Sequence, residues 1–418
     1  MATFKWNNGN QAFYRYNRLD RFDFEEGVET TTSISATYNE DLLGPYDPTR
    51  DAYSVKITFR DAELYTIEEG SDAGDERFID GEITSFRFFD DEGTEILKIS
   101  GLSLSLPAVE SMASQENYYD IWTYTAGGGH SFIGSNDASG AEDDYDGDSI
   151  QTGVGNDTVD ARGGDDWIGD YGGTDTYDGG AGFDTLSYQD WFYNPAGIIS
   201  GINANLSTGT VVGPDGLTDT VSKIESVRGT FLDDIIKGDS KDNTLIGLQG
   251  RDILDGRGGF DTVDYRKDVD QGGLDGVQVH LANGVARDGF GQVDKLRKIE
   301  GASGTYTNDH FTGDDNNNYF RGRDGDDIFN AGRGDDYLRG DEGADLFKFK
   351  TNNYGDDIIQ DFDKSEGDRI DIDKATSYGD LTITQDGTSA IVEFGTNRLE
   401  LYDVNASDLT ADVFGFVI

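Results

Sequence analysis

The chain has 418 residues, 83 of them acidic and 33 basic, which gives a formal net charge of −50 at pH 7. Such a field repels nucleic acid and anionic membrane surfaces, so we expect neither as a direct partner and take calcium ions as the natural counterion. Cysteine is absent, which excludes a disulfide framework and every thiol-based site.

The first 125 residues contain no Gly-Asp repeat and are predicted to form a separate β module. Their opening carries no apolar run, and no stretch of the chain reaches the length of a membrane span. We therefore expect neither a Sec signal peptide nor a transmembrane segment. Alternating apolar and polar residues predict strands at Tyr53–Phe59, Ile83–Phe89 and Leu102–Leu106, with a turn at Asp90–Gly93. We expect a β-sandwich-like fold for residues 1–125.

Two aromatic groups in this module leave its role open. The segment Tyr14–Arg21 is basic and aromatic and could grip an acidic polysaccharide, although ordinary surface packing is the favoured explanation. The cluster Tyr118, Tyr119, Trp122 and Tyr124 could stack on sugar rings, whereas core or domain-junction packing is the commoner use of such residues. A polysaccharide or cell-surface partner is thus one reading of the module.

From Gly153 to Tyr188 an Asp-x-hydrophobic triplet returns every ninth residue, with a glycine two residues before each Asp. The Gly-rich turns leave their carbonyls uncovered, and the three residues that follow form a short strand whose middle side chain points inward. Since two nonapeptides complete one turn of a parallel β-roll, each Asp lies beside the Asp eighteen residues on. Carboxylates and bare carbonyls then form an all-oxygen cage for a hard cation such as calcium. A disordered acidic linker would not keep its hydrophobic residues in phase.

The repeat returns in two further blocks, because the chain duplicates a unit of about 75 residues. The segment Phe183–Tyr188 recurs as Phe260–Tyr265, and the residues that follow each copy also match. The calcium-bound roll is predicted over residues 126–349, with strand-rich insertions at 189–224 and 266–299. The side chains predicted to line its interior are Ile150, Val159, Ile168, Tyr177, Leu186, Ile236, Leu245, Leu254, Val263, Phe311, Phe320, Phe329, Leu338 and Phe347.

Pairing each repeat position with the one eighteen residues on gives about eight candidate calcium sites. Asparagine amides bring no charge, so we expect the sites at Asn243 and Asn318 to be weaker. The predicted side-chain ligands are Asp148, Asp157, Asp166, Asp175, Asp184, Asp234, Asn243, Asp252, Asp261, Asp309, Asn318, Asp327, Asp336 and Asp345. The glycines predicted to complete the metal sites are Gly153, Gly155, Gly164, Gly173, Gly180, Gly182, Gly250, Gly259, Gly325, Gly332, Gly334 and Gly343.

After Phe349 the period stops, and residues 350–418 are predicted to form a C-terminal β cap over the open end of the roll. The repeats over residues 145–350 resemble those of the RTX (repeats-in-toxin) family of secreted calcium-binding proteins. The stretch Asp361–Ile372 and the hydrophobic terminus look like the cap and uncleaved signal of type I secretion substrates. The resemblance implies export from a Gram-negative bacterium through a type I exporter, with folding outside the cell on calcium. It also implies that each ion lies between aspartates and glycine carbonyls of successive turns.

The enzyme motifs of this export class are missing from the sequence. The three histidines, His130, His280 and His310, are isolated, so the zinc-protease helix H-E-x-x-H is absent, and no lipase elbow G-x-S-x-G occurs. We therefore expect a non-enzymatic calcium-binding protein of the cell surface or extracellular matrix. The alternative is a small polysaccharide-active hydrolase or lyase with its site in residues 1–125, because glycosidase chemistry needs only two carboxylates.

Overall fold

The computed structural model describes side chains for residues 150, 152, 155–189, 199–350 and 354–415. It describes the backbone alone for the strand residues 22–24, 33–38, 54–66, 76–89, 95–105, 131–133, 149 and 151. The chain divides into two compact units, the first made of residues 1–199 and 209–224 and the second of residues 200–208 and 225–418. The domain boundaries predicted near residues 125 and 349 stay predictions.

Short strands make up nearly all of the described secondary structure. The strands up to residue 228 are β1 (Phe22–Phe24), β2 (Ser33–Tyr38), β3 (Ser54–Thr66), β4 (Glu76–Phe89), β5 (Glu95–Ser105), β6 (Ser131–Ile133), β7 (Ser149–Gln151), β8 (Thr158–Asp160), β9 (Trp167–Gly169), β10 (Thr176–Asp178), β11 (Thr185–Ser187), β12 (Asn203–Asn205), β13 (Thr210–Val212), β14 (Thr218–Ser222) and β15 (Ser226–Arg228). The strands that follow are β16 (Ile235–Lys237), β17 (Thr244–Ile246), β18 (Ile253–Asp255), β19 (Thr262–Asp264), β20 (Gln278–His280), β21 (Val285–Arg287), β22 (Val293–Arg297), β23 (Gly301–Ser303), β24 (His310–Thr312), β25 (Tyr319–Arg321), β26 (Ile328–Asn330), β27 (Tyr337–Arg339), β28 (Leu346–Phe349), β29 (Asp356–Ile359), β30 (Arg369–Ile372), β31 (Thr382–Asp386), β32 (Ser389–Phe394), β33 (Asn397–Leu401) and β34 (Phe414–Gly415). The helical elements of the described residues are α1 (Arg266–Asp270) and single 3-10 turns at Leu206–Thr208, Leu281–Asn283, Tyr378–Asp380, Ala406–Asp408 and Ala411–Val413.

Strands β1 to β5 form an antiparallel meander in which each strand pairs with the next. Strand β6 pairs antiparallel with β5 and parallel with β8, so the meander continues into one sheet of the roll. The three strands predicted here overlap β3, β4 and β5. The predicted turn at residues 90–93 and the aromatic groups at residues 14–21 and 118–124 lie outside the described residues. A two-layer sandwich for this module stays a prediction.

Parallel pairing with an eighteen-residue offset builds the roll in the first unit. In one sheet β9 lies between β7 and β11, with Ile168 beside both Ile150 and Leu186. In the other sheet β8 pairs with β10 in the same way, which places Val159 beside Tyr177. The nonapeptide sets this offset, because two three-residue strands and two six-residue turns complete one coil. The predicted parallel β-roll is therefore confirmed.

The second unit repeats the arrangement over more coils. Strands β15, β17, β19, β23, β25, β27, β29 and β33 form one parallel row. In the other sheet β12, β16, β18 and β22 form a parallel row, as do β20, β24, β26, β28, β30 and β34, and β21 joins the two rows by antiparallel pairing. The fold is all-β as predicted, since α1 has only five residues.

Each insertion contributes a strand to the roll. Strand β14 in the first insertion pairs in parallel with β10, and β22 in the second insertion pairs in parallel with β18. A hairpin leads into each of them, because β13 lies antiparallel to β14 and β21 lies antiparallel to β22. The chain thus returns to the roll in register after a detour, and the inward and outward faces are preserved.

All of the side chains predicted to line the interior are buried, from Ile150 to Phe347. In the third block the interior is aromatic: the ring centroids of Phe311 and Phe329 are 5.2 Å apart, and those of Phe329 and Phe347 are 5.0 Å apart, with nearly parallel planes. Burial of one such side chain stabilises a fold by about 1.5–3 kcal/mol. The inward positions therefore supply the apolar core that the acidic turns cannot provide.

Strands β29 to β34 form the C-terminal β cap that the sequence predicts. Strands β31, β32 and β33 pair antiparallel, and β33 also pairs in parallel with β29. Strand β34 pairs with β30 and adds a short last strand to the opposite sheet. The ring of Tyr378 contacts Phe414 at a centroid distance of 5.9 Å, and its hydroxyl donates to the carbonyl of Leu409. The end of the parallel rows is thus covered by antiparallel strands.

Candidate metal centre

A row of hydrogen bonds connects the acidic repeat positions, which we call the inner ladder. The backbone N–H of one ladder residue donates to a side-chain Oδ1 on the ladder residue eighteen positions later, at 2.5 to 2.9 Å. All of its members are buried. They are Asp157, Asp166, Asp175, Asp184, Asp234, Asn243, Asp252, Asp261, Asp309, Asn318, Asp327, Asp336 and Asp345. The structure thus brings together the pairs that the spacing predicts, while Asp148 and Gly153 lie outside the described residues.

The second carboxylate oxygen of the ladder aspartates has a different environment. Within the described residues of the second unit, Oδ2 is buried and makes no hydrogen bond in Asp252, Asp261, Asp327, Asp336 and Asp345. A buried anionic oxygen without a partner costs about 1–3 kcal/mol or more. A hard cation would supply the missing contact, since calcium takes carboxylate and carbonyl oxygens.

Glycines of the turns lie close to this free oxygen or to the next turn. A Cβ at Gly322 would overlap Oδ2 of Asp327, and a Cβ at Gly340 would overlap Oδ2 of Asp345. A Cβ at Gly343 would overlap the carbonyl oxygen of Gly325, one coil away. The first two glycines, five residues before the Asp, were not among the predicted site residues, yet they keep the space beside the carboxylate open.

The predicted glycines have the backbone conformation that their turns require. A positive φ between 107° and 157° occurs at Gly164, Gly173, Gly180, Gly182, Gly250, Gly259, Gly325, Gly332, Gly334 and Gly343. Other residues rarely adopt such angles, so these turns depend on glycine. The carbonyl oxygen of Gly155 lies against Gly173, the glycine eighteen residues on. Successive turns therefore stack backbone on backbone.

Burial raises the pKa of the ladder carboxyls. It raises the pKa of Asp327 to about 9, with the neighbouring Asp309 as the next cause, and that of Asp252 to about 9, with Asp234 as the next cause. The pKa of Asp336 is raised to about 8 and that of Asp345 to about 7, again mainly by burial. Without a cation such groups hold protons near neutral pH, so metal binding must release protons.

The two asparagines of the inner ladder saturate their polar atoms with protein groups. Oδ1 of Asn318 accepts from the N–H of Asp314 at 2.9 Å, and its Nδ2 donates to the carbonyl of Glu300 at 3.2 Å. Oδ1 of Asn243 accepts from the N–H of Asp239, and its Nδ2 donates to the carbonyl of Glu225. These positions hold together without an ion, which supports the expectation of weaker metal binding there.

A second, outer ladder lies one residue before the inner one. Here the bonds run in the opposite direction, because the side-chain Oδ1 of the earlier turn accepts from the backbone N–H eighteen residues later, at 2.6 to 3.1 Å. Sequence reasoning missed this row, although an Asp or Asn stands directly before eight of the thirteen inner-ladder residues. Its acceptors are Asn156, Asp165, Asp233, Asp242, Asn308, Asn317 and Asp326.

The inner ladder also continues through residues that have no place in the nine-residue period. The N–H of Asp175 donates to Asp219, and that of Asp252 donates to Asp294, at 2.9 and 3.0 Å. In the same way Asp261 donates to Glu300, Asp336 to Asp357 and Asp345 to Asp368, each at 2.9 Å. The available signal was an acid-x-hydrophobic triplet at each of these five acids, outside the nine-residue period.

Three carboxyls of the first unit form a tighter group. Oxygen atoms of Asp170, Asp175 and Asp219, all buried, lie within 4.8 Å of one another, which is close enough to share one metal ion. The hydroxyl of Tyr177 donates to Asp170 at 2.6 Å and to Asp175 at 3.0 Å, and that of Tyr188 donates to Asp219 at 2.9 Å. Burial and then Asp170 raise the pKa of Asp175 to about 9. Asp170 was missed because it stands where the repeat places a turn glycine.

A comparison with protein-family models agrees with this geometry. The family model of the RTX calcium-binding nonapeptide repeat (four copies) matches residues 143–169, 151–186, 228–263, 303–338 and 312–347. Among solved structures, the crystal structure of the extracellular lipase LipA from Serratia marcescens is similar at 17% identity over 46% of this chain, with a TM-score of 0.21. The chain spans 40% of the lipase, and at that TM-score the likeness carries no argument. Within the part of the chain that the structure describes, no helix is long and apolar enough to cross a membrane.

Proposed function

Because the chain belongs to the RTX family of calcium-binding nonapeptide repeat proteins, we propose that it is a secreted protein that folds as calcium fills its inner ladder. In this proposal it acts without catalysis at the cell surface or in the extracellular matrix. The ions lie between successive turns, each held by ladder carboxylates and by turn glycines of adjacent coils. The list of ligands is the one predicted above, extended by Asp219, Asp294, Glu300, Asp357 and Asp368.

One observation carries the proposal, namely the buried and unpartnered Oδ2 atoms of five inner-ladder aspartates in the second unit. Within the described residues, no Lys or Arg forms an ion pair with the five aspartates Asp252, Asp261, Asp327, Asp336 and Asp345. Charge inside the second unit is therefore not balanced by Lys or Arg at these positions. Protons or bound cations must balance it, and calcium matches the oxygen-only donors.

A calcium titration of the full chain tests this proposal. We expect circular dichroism to change from coil to β as calcium is added to the chelated protein, with a midpoint of about 10⁻⁴ to 10⁻³ M, as in other extracellular modules. Magnesium at the same concentration should be much less effective, since it demands a tighter octahedral site. A complete β spectrum in excess chelator would argue against calcium-driven folding.

Export through a type I system is the second part of the proposal. Its support is the family membership together with the C-terminal segment that follows the repeats. Deletion of residues 360–418 should keep the protein in the cytoplasm of a host that carries a type I exporter. Undiminished secretion of the shortened chain would contradict the proposed type I export. It would leave the proposal of calcium-driven folding untouched, because that proposal does not depend on the export route.

The absence of catalysis is tested on the N-terminal module within the full chain. Calcium-loaded protein is incubated with acidic and neutral polysaccharides, and both binding and product release are scored. Binding without product release is the expected result for a surface or matrix protein. Release of shortened or unsaturated sugars would instead favour the polysaccharide-active enzyme that the sequence leaves as the alternative.

A further inference from the structure

Four buried carboxyls that influence one another electrostatically lie where the second insertion packs on the roll, and we call them the insertion cluster. Asp268 lies in α1, Asp288 lies at the turn between β21 and β22, and Asp294 lies in β22. Asp252, which directly precedes β18, is the inner-ladder residue that faces them. All four side chains are 0% exposed. Helix α1 and the β21–β22 hairpin of the insertion thus place carboxyls beside the roll at positions that the nonapeptide repeat does not predict.

The backbone holds one oxygen of each insertion carboxyl. Oδ2 of Asp268 accepts from the N–H of Gly289 at 2.9 Å. Oδ1 of Asp288 accepts from the N–H groups of Phe290 and Gln292 at 3.1 and 2.5 Å. These contacts fix where the two carboxyls point, because the turn at Asp288 closes on its own side chain.

Other oxygens of the cluster have no partner. Oδ1 of Asp268, Oδ2 of Asp288 and Oδ2 of Asp252 are buried and make no hydrogen bond. Asp294 differs, since it accepts from the N–H of Asp252 and from the hydroxyl of Tyr265, each at 3.0 Å. Three orphaned anionic oxygens in one buried region cost far more than one, because each raises the repulsion on the others.

The charges of the cluster also influence one another. Burial is the main cause that raises the pKa of Asp268 to about 8, and the carboxyls of Asp288 and Asp294 raise it further. Burial raises the pKa of Asp252 to about 9, with Asp234, Asp294 and Asp288 as further causes. Among the recorded ion pairs of the described residues, Lys267 pairs with Asp270 and Arg266 pairs with Asp264, and neither cation is paired with the cluster.

We propose that the insertion cluster binds one hard divalent cation of the calcium class, at a site beside the nonapeptide sites that shares Asp252 and Asp294 with the inner ladder. Asp268, Asp288 and Asp294 supply three carboxylates from the insertion, and Asp252 supplies the fourth from the roll. The donor set is oxygen only, which suits calcium better than transition metals. Its oxygens are less closely grouped than those of Asp170, Asp175 and Asp219, which alone among the described residues meet within 4.8 Å. The ion draws the cluster together and ties α1 and the β21–β22 turn to the roll.

The site is a property of the second insertion. Counted from the matching Gly209 and Gly284, the place of Asp288 in the first insertion is taken by Gly213, whereas Asp294 corresponds to Asp219. The first copy therefore has no carboxylate at that position, and the acid of its turn is Asp215, whose Oδ2 accepts from the N–H of Gly173. Duplication of the unit alone does not explain the cluster.

Crystals of the full chain, grown with calcium and soaked with terbium, give the primary test. Terbium replaces calcium at oxygen sites and is located by its anomalous scattering. We expect one peak bounded by Asp252, Asp268, Asp288 and Asp294, apart from the peaks between the nonapeptide turns. Peaks in the nonapeptide turns with none in the cluster would overturn this inference and leave the proposed function intact. A map without peaks in either place would contradict both.

Variants of the cluster give a second, independent test in solution. Native mass spectrometry of calcium-loaded protein should count one ion fewer for Asp268→Asn and for Asp288→Asn than for the wild type. The matched control is Asp270→Asn, because Asp270 lies on the same helix, is exposed and pairs only with Lys267 in the recorded contacts. An unchanged count in folded Asp268→Asn and Asp288→Asn would refute the site. If neither variant folds, the terbium map of the wild type decides.

Discussion

The two oxygens of one inner-ladder carboxylate can differ in their contacts. In Asp327, Oδ1 accepts the N–H of Asp309 at 2.7 Å, while Oδ2 is buried without a hydrogen bond. The first contact fixes the rotamer, and the second oxygen is left for a cation or a proton. Asn318 does not make the first contact: its Oδ1 accepts from the N–H of Asp314, and its Nδ2 donates to the carbonyl of Glu300. The difference between Asp and Asn in the repeat is therefore a difference in demand for an ion.

Removal of a ladder aspartate should weaken calcium binding more than removal of a ladder asparagine. The side chain of Asp327 accepts from the N–H of Asp309, and the N–H of Asp327 donates to the side chain of Asp345. Asp327 therefore lies between two acidic neighbours, and we expect Asp327→Ala to remove a ligand from two coils. We expect its calcium midpoint to rise about tenfold, equal to about 1.4 kcal/mol. Asn243→Ala, whose amide is satisfied by protein groups, should shift the midpoint by less than about twofold. Circular dichroism during calcium titration measures both, and equal midpoints would contradict the two-coil role of Asp327.

Addition of a charge at the asparagine position should have the opposite effect. In Asn243→Asp the oxygen that replaces Nδ2 would face the carbonyl of Glu225, and an ion between them would turn repulsion into attraction. We expect the calcium midpoint to fall by about twofold to fivefold, within the range of a single added ligand charge. The control is Asn283→Asp, which adds the same charge at an exposed position. A midpoint that moves equally in both variants would mean that overall charge, and not the local ligand, sets the affinity.

At the scale of elements, the nonapeptide could be predicted from the sequence because every turn repeats the same chemistry. Glycine angles, inward apolar residues and the eighteen-residue offset follow from that repetition, and the roll has all three. The insertions could not be predicted in the same way. Their hairpins β13–β14 and β21–β22 bring Asp219 and Asp294 into the ladder, 44 and 42 residues after the ladder residues that they contact. A nine-residue repeat does not predict contacts at these sequence separations. Only the folded hairpins set these contacts.

A turn glycine can be required for its positive φ or for the close approach of the next coil, and Gly→Ala substitutions should distinguish these two requirements. Gly343 has φ of 138°, and a Cβ there would overlap the carbonyl of Gly325. Gly387, in the turn between β31 and β32, has φ of 59° but open space around its Cα. We expect Gly387→Ala to lower the free energy of unfolding by about 1 kcal/mol and Gly343→Ala to lower it by roughly 3 kcal/mol or more. Denaturant unfolding in saturating calcium measures the two losses, and equal losses would show that coil stacking adds no constraint.

At the scale of the whole molecule, exposed and buried acidic residues contribute differently to the electrostatic repulsion. Exposed acids give the long-range repulsion that follows from a net charge of −50, and salt screens it. Buried ladder and cluster carboxyls repel at short range in a medium that salt does not reach. The composition alone predicts a calcium-dependent acidic protein, but it does not tell which acids are buried. The ladder register and the hairpins decide that.

The calcium-free protein should become less stable as the pH rises. The folded-state pKa values of Asp252 and Asp327 are raised from 3.8 to about 9, so their contribution to stability is fully present below pH 3.8 and is lost as the pH rises through about 9. The β signal of protein freed of calcium should therefore be larger at pH 5, where these carboxyls are protonated, than at pH 9, and circular dichroism measures the difference. Saturating calcium should reverse the trend, because deprotonated carboxylates bind the ion more strongly.

Salt distinguishes this effect from surface repulsion. At about 1 M salt the Debye length falls to about 3 Å, so repulsion among exposed acids is largely screened, while that among buried carboxyls is not. If the buried groups control the pH dependence, the β signal of the calcium-free protein still falls between pH 5 and pH 9 in high salt. If the slope disappears in salt, surface charge is the cause and the ladder carboxyls do not hold the protons assigned to them. Asp327→Asn, which removes one raised pKa, should flatten the slope in high salt, whereas the exposed Asp270→Asn should leave it unchanged.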